Sequence, residues 1–369
     1  MMFQTDNPHT QIVELTKELI LFQSTAQKPH HLQNVVDFCE NYLSENGFTI
    51  SKYMQNDKPS LVASTHDTKE FDVLLAGHLD VIEAEQREFV PRIQGDKLYG
   101  RGAADMKGSV AASILAFQKV HKTRPELKLG LMLTSDEEVG GQNGAQYLVE
   151  QGYKAKLVIV PDGGAMDAII TSQKGLIFFK ATLHGTAAHG SRPWLGDNAI
   201  NKVCLLYKDL QKQFPKPESE DDWRPSVNIG KIQAGNAINQ VPDKCEAYFD
   251  VRLTEKHSFD EWYEIIKKVV KDHDADFEIQ AQGDICFTDF NDEYLQQYKS
   301  VAEGILGREV NFGVEAGGSD ARFFSSAEMP VLITRPDGAD WHNNGEWVSI
   351  ESLQTFYDIL LKYLEQIEV

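Results

Sequence analysis

Three apolar runs of strand length constrain this chain most, because each ends on a group able to do chemistry. DVLLAGH delivers His78, LKLGLMLT runs into Ser135-Asp136-Glu137-Glu138, and KLVIV passes through Pro161 to Asp162. Between the first and second runs, residues 107–121 carry apolar positions at helical spacing. A second helix is expected near 143–151, ahead of the third run. Strands alternating with helices in this way imply an α/β sheet with helices on its faces. Upstream, helices are expected over 10–23 and 32–46, the latter stopped by Gly47, followed by strand-type runs FTISKYM and SLVAST.

The character changes after about residue 175. LIFFKATLHG, a helix over 197–213, VNIGKIQAG, the alternating CEAYFDVRL and a helix over 258–272 follow in the order β-α-β-β-α. QFPKPESEDDWRP reads as a polar, proline-containing connection inside that block. A helix over 292–306, the run PVLIT and a final helix over 351–366 then return to the first pattern. The expectation is a discontinuous first domain of residues 1–174 and 287–369, with an α+β domain of residues 175–286 inserted into it. A length of 369 residues agrees with two cores rather than one.

Composition narrows the function classes. A net charge of -20 opposes binding to a phosphate backbone, and no long Lys/Arg cluster offsets it, so nucleic acid is not an expected partner. No apolar run approaches the roughly 18 residues of a membrane helix, and MMFQTDNPHT lacks the basic and apolar regions of a secretory signal. The expected location is the cytoplasm, with no membrane partner. Cys39, Cys204, Cys245 and Cys286 form no C-x-x-C pair and read as buried free thiols.

Five segments could together hold metal ions. His78 ends a strand with Asp80 two residues on, on the same face, where its carboxylate could accept from one imidazole nitrogen while the other binds a cation. Asp105 lies in the Gly-rich LYGRGAADMKGSVAA just before a helix; its two oxygens could bridge two cations. In TSDEEVGG, adjacent acids diverge, so one can ligate while another acts as a base. Asp162 sits in a glycine turn, and His342 lies in the polar loop DGADWHNNGEW. Taken singly, these segments read equally as a capped strand-end histidine, a helix N-cap, an exposed acidic turn or a surface histidine. As a set they fit the rule that open α/β sheets place sites beyond the carboxyl ends of their strands. Histidine and carboxylate without cysteine suit Zn²⁺ or another first-row cation.

GHLDVI, LYGRGAADMKGSVAA, TSDEEVGG, HGTAAHGSRPWLGDNAI and GGSDARF, in this order across about residues 75–345, resemble the M20 family of metallopeptidases and deacylases. That family includes acetylornithine deacetylase, succinyl-diaminopimelate desuccinylase, carboxypeptidase G2 and aminoacylase. The resemblance implies a zinc-peptidase catalytic domain with a mixed sheet, and a lid domain that often mediates dimerisation. It implies two Zn²⁺ per subunit, with Co²⁺ or Mn²⁺ as alternatives. Asp105 would bridge them, His78 and Asp162 completing one site and Glu138 and His342 the other. Glu137 would be the general base toward a metal-bridging water, and Asp80 would orient His78. His189 matches a family histidine that reaches the partner subunit's active site and stabilises the tetrahedral intermediate. Arg252, Asn239, Gly317, Gly318 and Ser319 resemble positions that hold a substrate's carboxylate.

The implied activity is hydrolysis of an amide in a small N-acyl amino acid or short peptide by a homodimer joined through the lid domain. A non-catalytic, metal-loaded binding protein of the same fold is the alternative. A serine or cysteine hydrolase has no support, since no G-x-S-x-G elbow occurs. Two departures from the family stand out. Asp162 replaces a glutamate found in many members, and ITRPDGADWH replaces the Glu-x-Gly-Pro type segment of the biosynthetic deacylases, setting Arg335 and Trp341 close to His342.

Overall fold

The structure, a computed structural model, describes residues 7–44, 48–219 and 222–368. Gly47, expected to stop the second helix, lies outside them, as do residues 1–6 of the N-terminal segment and 220–221 of the polar connection. The chain forms two compact units, one of residues 1–171, 287–315 and 319–369 and the other of residues 172–286 and 316–318.

The first unit is built on a nine-stranded mixed sheet. Its order is Thr49–Gln55, Lys58–Ser64, Leu129–Thr134, Glu70–His78, Lys154–Val160, Val331–Ile333, Ala168–Gln173 and Cys286–Phe287, with Asn311–Glu315 pairing with Ala168–Gln173 off this path. The four strands from Leu129–Thr134 to Val331–Ile333 run parallel. Parallel strands are covered on both faces, and this is why LGLMLT is buried at every position. Helix Gly108–Thr123 shares one core with the final helix, through Val110, Ile114 and Phe117 on one side and Phe356, Leu360 and Leu364 on the other. Helix Pro8–Leu21 starts on a capping Asn7, whose side chain accepts from the His9 amide, and has Pro8 at its first position.

A separate four-stranded antiparallel sheet matters more for the site. It joins Arg92–Gln94, Lys97–Tyr99, Trp347–Ser349 and Gly338–Ala339. Trp347 opposite Tyr99 draws the C-terminal loop carrying His342 onto the glycine-rich loop carrying Asp105. Neither these two- and three-residue strands nor their pairing is visible as an apolar run in the sequence, and none was expected.

In the second unit, a four-stranded antiparallel sheet has the order Ser226–Ala234, Lys244–Leu253, Gly175–His184, Asp276–Gly283. The last strand, DFEIQAQG, was missing from the expected β-α-β-β-α order although it alternates polar and apolar residues; at this sheet edge most of it is exposed, and only Phe277 and Ile279 pack against the core. Ile177, Phe179, Ala181 and Leu183 alternate inward along one central strand, and Cys245, Ala247, Phe249 and Val251 along the other. Helices Ala199–Gln213 and Phe259–Asp272 cover this face with Val203, Leu206, Leu210, Trp262, Ile266 and Val270. Ser258 and Glu261 close a reciprocal capping box at the start of the second helix. Cys39, Cys245 and Cys286 are buried free thiols, but Cys204 is exposed, on the outer face of helix Ala199–Gln213. The expectation that all four were buried is corrected there.

Candidate metal centre

The carboxyl ends of the four parallel strands supply most of the site. His78 is the last residue of its strand, Asp136–Glu138 follow Thr134, and Asp162 follows Val160 by two residues. Glycine at the next turn is a steric requirement. Gly140 and Gly141 both have positive φ, and a Cβ at Gly141 would collide with Asp320 Oδ1.

His78 is 1% exposed; its Nε2 lies 3.2 Å from Asp105 Oδ1 and 3.9 Å from Asp162 Oδ2. The other carboxylate oxygen of Asp105 faces His342 Nε2 at 3.3 Å, and that nitrogen lies 3.1 Å from Glu138 Oε2. Asp105 therefore directs one oxygen to each histidine. Two groups of ligand atoms result, each mutually within 4.8 Å: His78, Glu137 and Asp162, and Asp105, Glu138 and His342.

Asp80 orients His78 by a route different from the expected one. The imidazole Nδ1 meets the main-chain carbonyl of Asp80 at 3.0 Å, whereas the carboxylate lies 3.6 Å away. That carboxylate instead accepts from the amides of Glu137 at 3.3 Å and Glu138 at 3.1 Å. One residue thus aligns the imidazole with its backbone and the acidic turn with its side chain.

Glu346 was not identified from the sequence. It is buried and accepts from Arg101 Nη1 at 2.7 Å and from the amides of Gly102, Ala104 and Asp105 at 2.8, 2.9 and 3.0 Å. It pins the loop that presents Asp105. Its only sequence signal was an acid four residues after His342, which resembles an ordinary surface charge.

The electrostatics describe an acid cluster in need of positive charge. Burial, then the charge of Asp105, pushes Glu138 and Asp162 each up to about 7. Burial also drives Glu137 well above the usual carboxylate range, with Asp162 and Asp320 adding to it. Burial disfavours the charged form of His78, yet the hydrogen bond it donates to Asp105 and the charges of Asp80 and Glu137 hold its pKa well above the usual imidazole value. Asp105 moves the other way: burial raises its pKa, but His342 and His78 outweigh that and lower it. Two imidazole nitrogens and converging carboxylate oxygens in two triads are a donor set that suits a pair of divalent cations, which would relieve this repulsion.

The sequence profile described as "Peptidase family M20/M25/M40" matches residues 74–366. This chain belongs to that family. Among its curated relatives is a succinyl-diaminopimelate desuccinylase from Rickettsia massiliae, 27% identical, with 96% of this chain and 99% of the relative covered. Its fold is that of aminopeptidase PepT from Bacillus cereus, at a TM-score of 0.78 and 18% identity over 97% of this chain and 99% of that one. A dinuclear metal-binding M20 peptidase from Bacillus subtilis matches at a TM-score of 0.71 and 17% identity, over 98% and 99% of the two chains. The M20 chain is a hydrolase of the peptidase and desuccinylase kind, with a mixed α/β fold.

The remaining predicted residues divide between the units. His189 and Asn239 lie in the second and come together there: His189 pairs with Gln240, and the Gly190 amide donates to the Asn239 carbonyl at 2.7 Å. The Ser191 amide donates to His189 Nδ1 at 3.2 Å, so that nitrogen is an acceptor and Nε2 carries the proton of the neutral ring. Arg252, also in the second unit, forms an ion pair with Asp250 through Nε at 2.8 Å and Nη2 at 3.2 Å. Gly317 and Gly318 belong to that unit and are exposed, while Ser319 belongs to the first and is 1% exposed, its hydroxyl accepting from the Ala321 amide.

Proposed function

We propose that this M20 protein is a two-metal amidohydrolase, acting on a small N-acyl amino acid or short peptide, in which Glu137 is the proton carrier. The observation that carries the reading is the division of six groups into two triads, with Asp105 facing both histidines and Glu137 inside the set of His78 and Asp162. His78 and Asp162 would hold one cation, Glu138 and His342 the other, and Asp105 would bridge them. Nitrogen and oxygen donors without sulfur favour Zn²⁺, with Co²⁺ or Mn²⁺ as substitutes. Bound there, the cations supply Lewis-acid polarisation and lower the pKa of water.

Glu137 would take a proton from the attacking water and pass it to the leaving nitrogen. Burial raises its proton affinity, and Asp162 and Asp320 add to that rise, which favours proton uptake at this carboxylate. Asp80 holds its main chain in place. We assign His189, through Nε2–H, the role of donor to the developing oxyanion in a partner subunit, with Asn239, Gly317, Gly318 and Ser319 on the substrate side. Homodimerisation through the second unit is supported by exposed Ile200 and Leu205 on its helix and Ile232 on its edge strand. Light scattering that finds a monomer would exclude the dimer. Free thiols suit a reducing compartment, consistent with a cytoplasmic protein.

The test is E137Q on zinc-reconstituted protein against a panel of N-acyl amino acids and dipeptides. Turnover is expected to fall by about 10²–10⁴-fold while two zinc ions per chain are retained. Full activity in E137Q, or metal binding without hydrolysis by the wild type across the panel, would refute the assignment.

A further inference from the structure

Arg335 is a cation beside the acid cluster whose charge acts on Asp162 without an ion-pair contact among the described residues. Strand Val331–Ile333 runs parallel to Lys154–Val160 with Ile333 opposite Val160, so the residue two beyond Ile333 leaves the sheet beside the residue two beyond Val160. Those residues are Arg335 and Asp162. The guanidinium is held on two sides: Nε donates to the Gly164 carbonyl at 3.2 Å, and Cζ stacks 4.0 Å from the ring centroid of Trp341, the neighbour of His342. Arg335 thus bridges the loops that carry a residue of each triad.

Its two Nη groups have no hydrogen-bond partner and no carboxylate within 4.0 Å among the described residues. Arg101 faces Glu346 at 2.7 Å, Arg308 faces Asp167 at 3.2 Å, and Arg252 spends Nε and Nη2 on Asp250, whereas Arg322, the other unpaired arginine near the acids, spends Nη2 on the Gly140 carbonyl. A guanidinium stays charged at any physiological pH, and its planar fork matches a carboxylate with two parallel hydrogen bonds. A half-buried, immobilised fork beside a metal-type acid cluster is preorganised for an anion.

We propose that Arg335, backed by Trp341, is the specificity-determining residue of this site and binds a carboxylate of the substrate, a role for which Arg252 is already engaged by Asp250. Within the substrates proposed above, Arg335 would take the carboxylate that an N-acyl amino acid or peptide carries besides its scissile bond, and amides without one would bind poorly. This inference rests on the amidohydrolase reading, but its test reads binding rather than turnover, so the two can fail separately.

The test is isothermal titration of zinc-loaded wild type, R335Q, R335K and R252Q with succinate and with its monoamide, succinamate. Both probes carry one carboxylate that can meet the metals, and only succinate carries a second. Wild type is expected to prefer succinate by about 10- to 100-fold, the worth of a bidentate charge-assisted pair. R335Q should lose that preference, R335K keep part of it, and R252Q keep it nearly whole. Zinc content should be unchanged in all four. A preference that survives R335Q, is absent from the wild type or is abolished by R252Q overturns the proposal. So does loss of zinc together with the preference in R335Q, which would make Arg335 a support of Asp162.

Discussion

Replacing Glu346 should damage the metal centre from a residue that touches no metal. Its carboxylate takes four donors, Arg101 Nη1 and the amides of Gly102, Ala104 and Asp105, all within 3.0 Å. Burial raises its pKa, and those donors oppose the rise. In E346A the Arg101 guanidinium, 3% exposed, would be left without its acid, at a cost of about 3–5 kcal/mol. Each orphaned amide adds about 1–3 kcal/mol unless water reaches it. Against a typical total stability of about 5–15 kcal/mol, that sum threatens folding itself, so E346Q is the informative variant. Glutamine keeps the volume and one acceptor but turns an NH₂ toward donors, releasing either Arg101 or the amides that set Asp105. A loss of about 2–3 kcal/mol in urea unfolding is expected, together with a 10- to 100-fold weaker zinc affinity, the usual size for a residue that orients a ligand. Chelator competition reads the affinity. E346Q within about 0.5 kcal/mol of wild type, with unchanged zinc affinity, would show that Asp105 is held by something else.

Two further perturbations separate backbone from charge. G141A forces a Cβ into Asp320 Oδ1 at a φ of 68°, and should cost about 2 kcal/mol or more and weaken metal binding at Glu138; a wild-type melting temperature would contradict the collision. Lys107, fully buried with Nζ donating to the Phe22 carbonyl, has its pKa lowered to about 7 by burial, with Arg101 adding and Glu346 and Asp80 opposing. Between that value and the unfolded pKa of about 10.4 the unfolded chain binds the extra proton, so this group makes stability rise with pH. The slope is at most about 1.4 kcal/mol per pH unit, and the gain is complete above the unfolded pKa. K107M should flatten that rise in denaturant titrations from pH 7 to 10, and identical pH profiles for the two proteins would exclude the shift.

The fold class and the family were readable because their signals are local. Apolar runs of period 2 and 3.6 record which faces are buried, and the strand-end motifs GHLDVI, TSDEEVGG and PDGG stand at the carboxyl ends of parallel strands where sites form. What local patterns do not encode is which loops meet. His342 reaches Asp105 and Glu138 because three-residue strands, too short for a periodic signal, pair Trp347 with Tyr99. Glu346 is indistinguishable in sequence from a solvated acid until Arg101 and three amides converge on it. Asp80 illustrates the finer limit: spacing placed it beside His78, but in the folded chain its carbonyl meets the imidazole and its carboxylate is left for the amides of Glu137 and Glu138. The sequence by itself determined the longer helices and apolar strands, their order and the inventory of acids and histidines, since these depend on residues close along the chain. Tertiary packing alone decided how six of those groups divide into two triads and set Arg335 beside Asp162 without an ion-pair contact among the described residues, because both depend on distances between loops whose separation only the folded sheet sets.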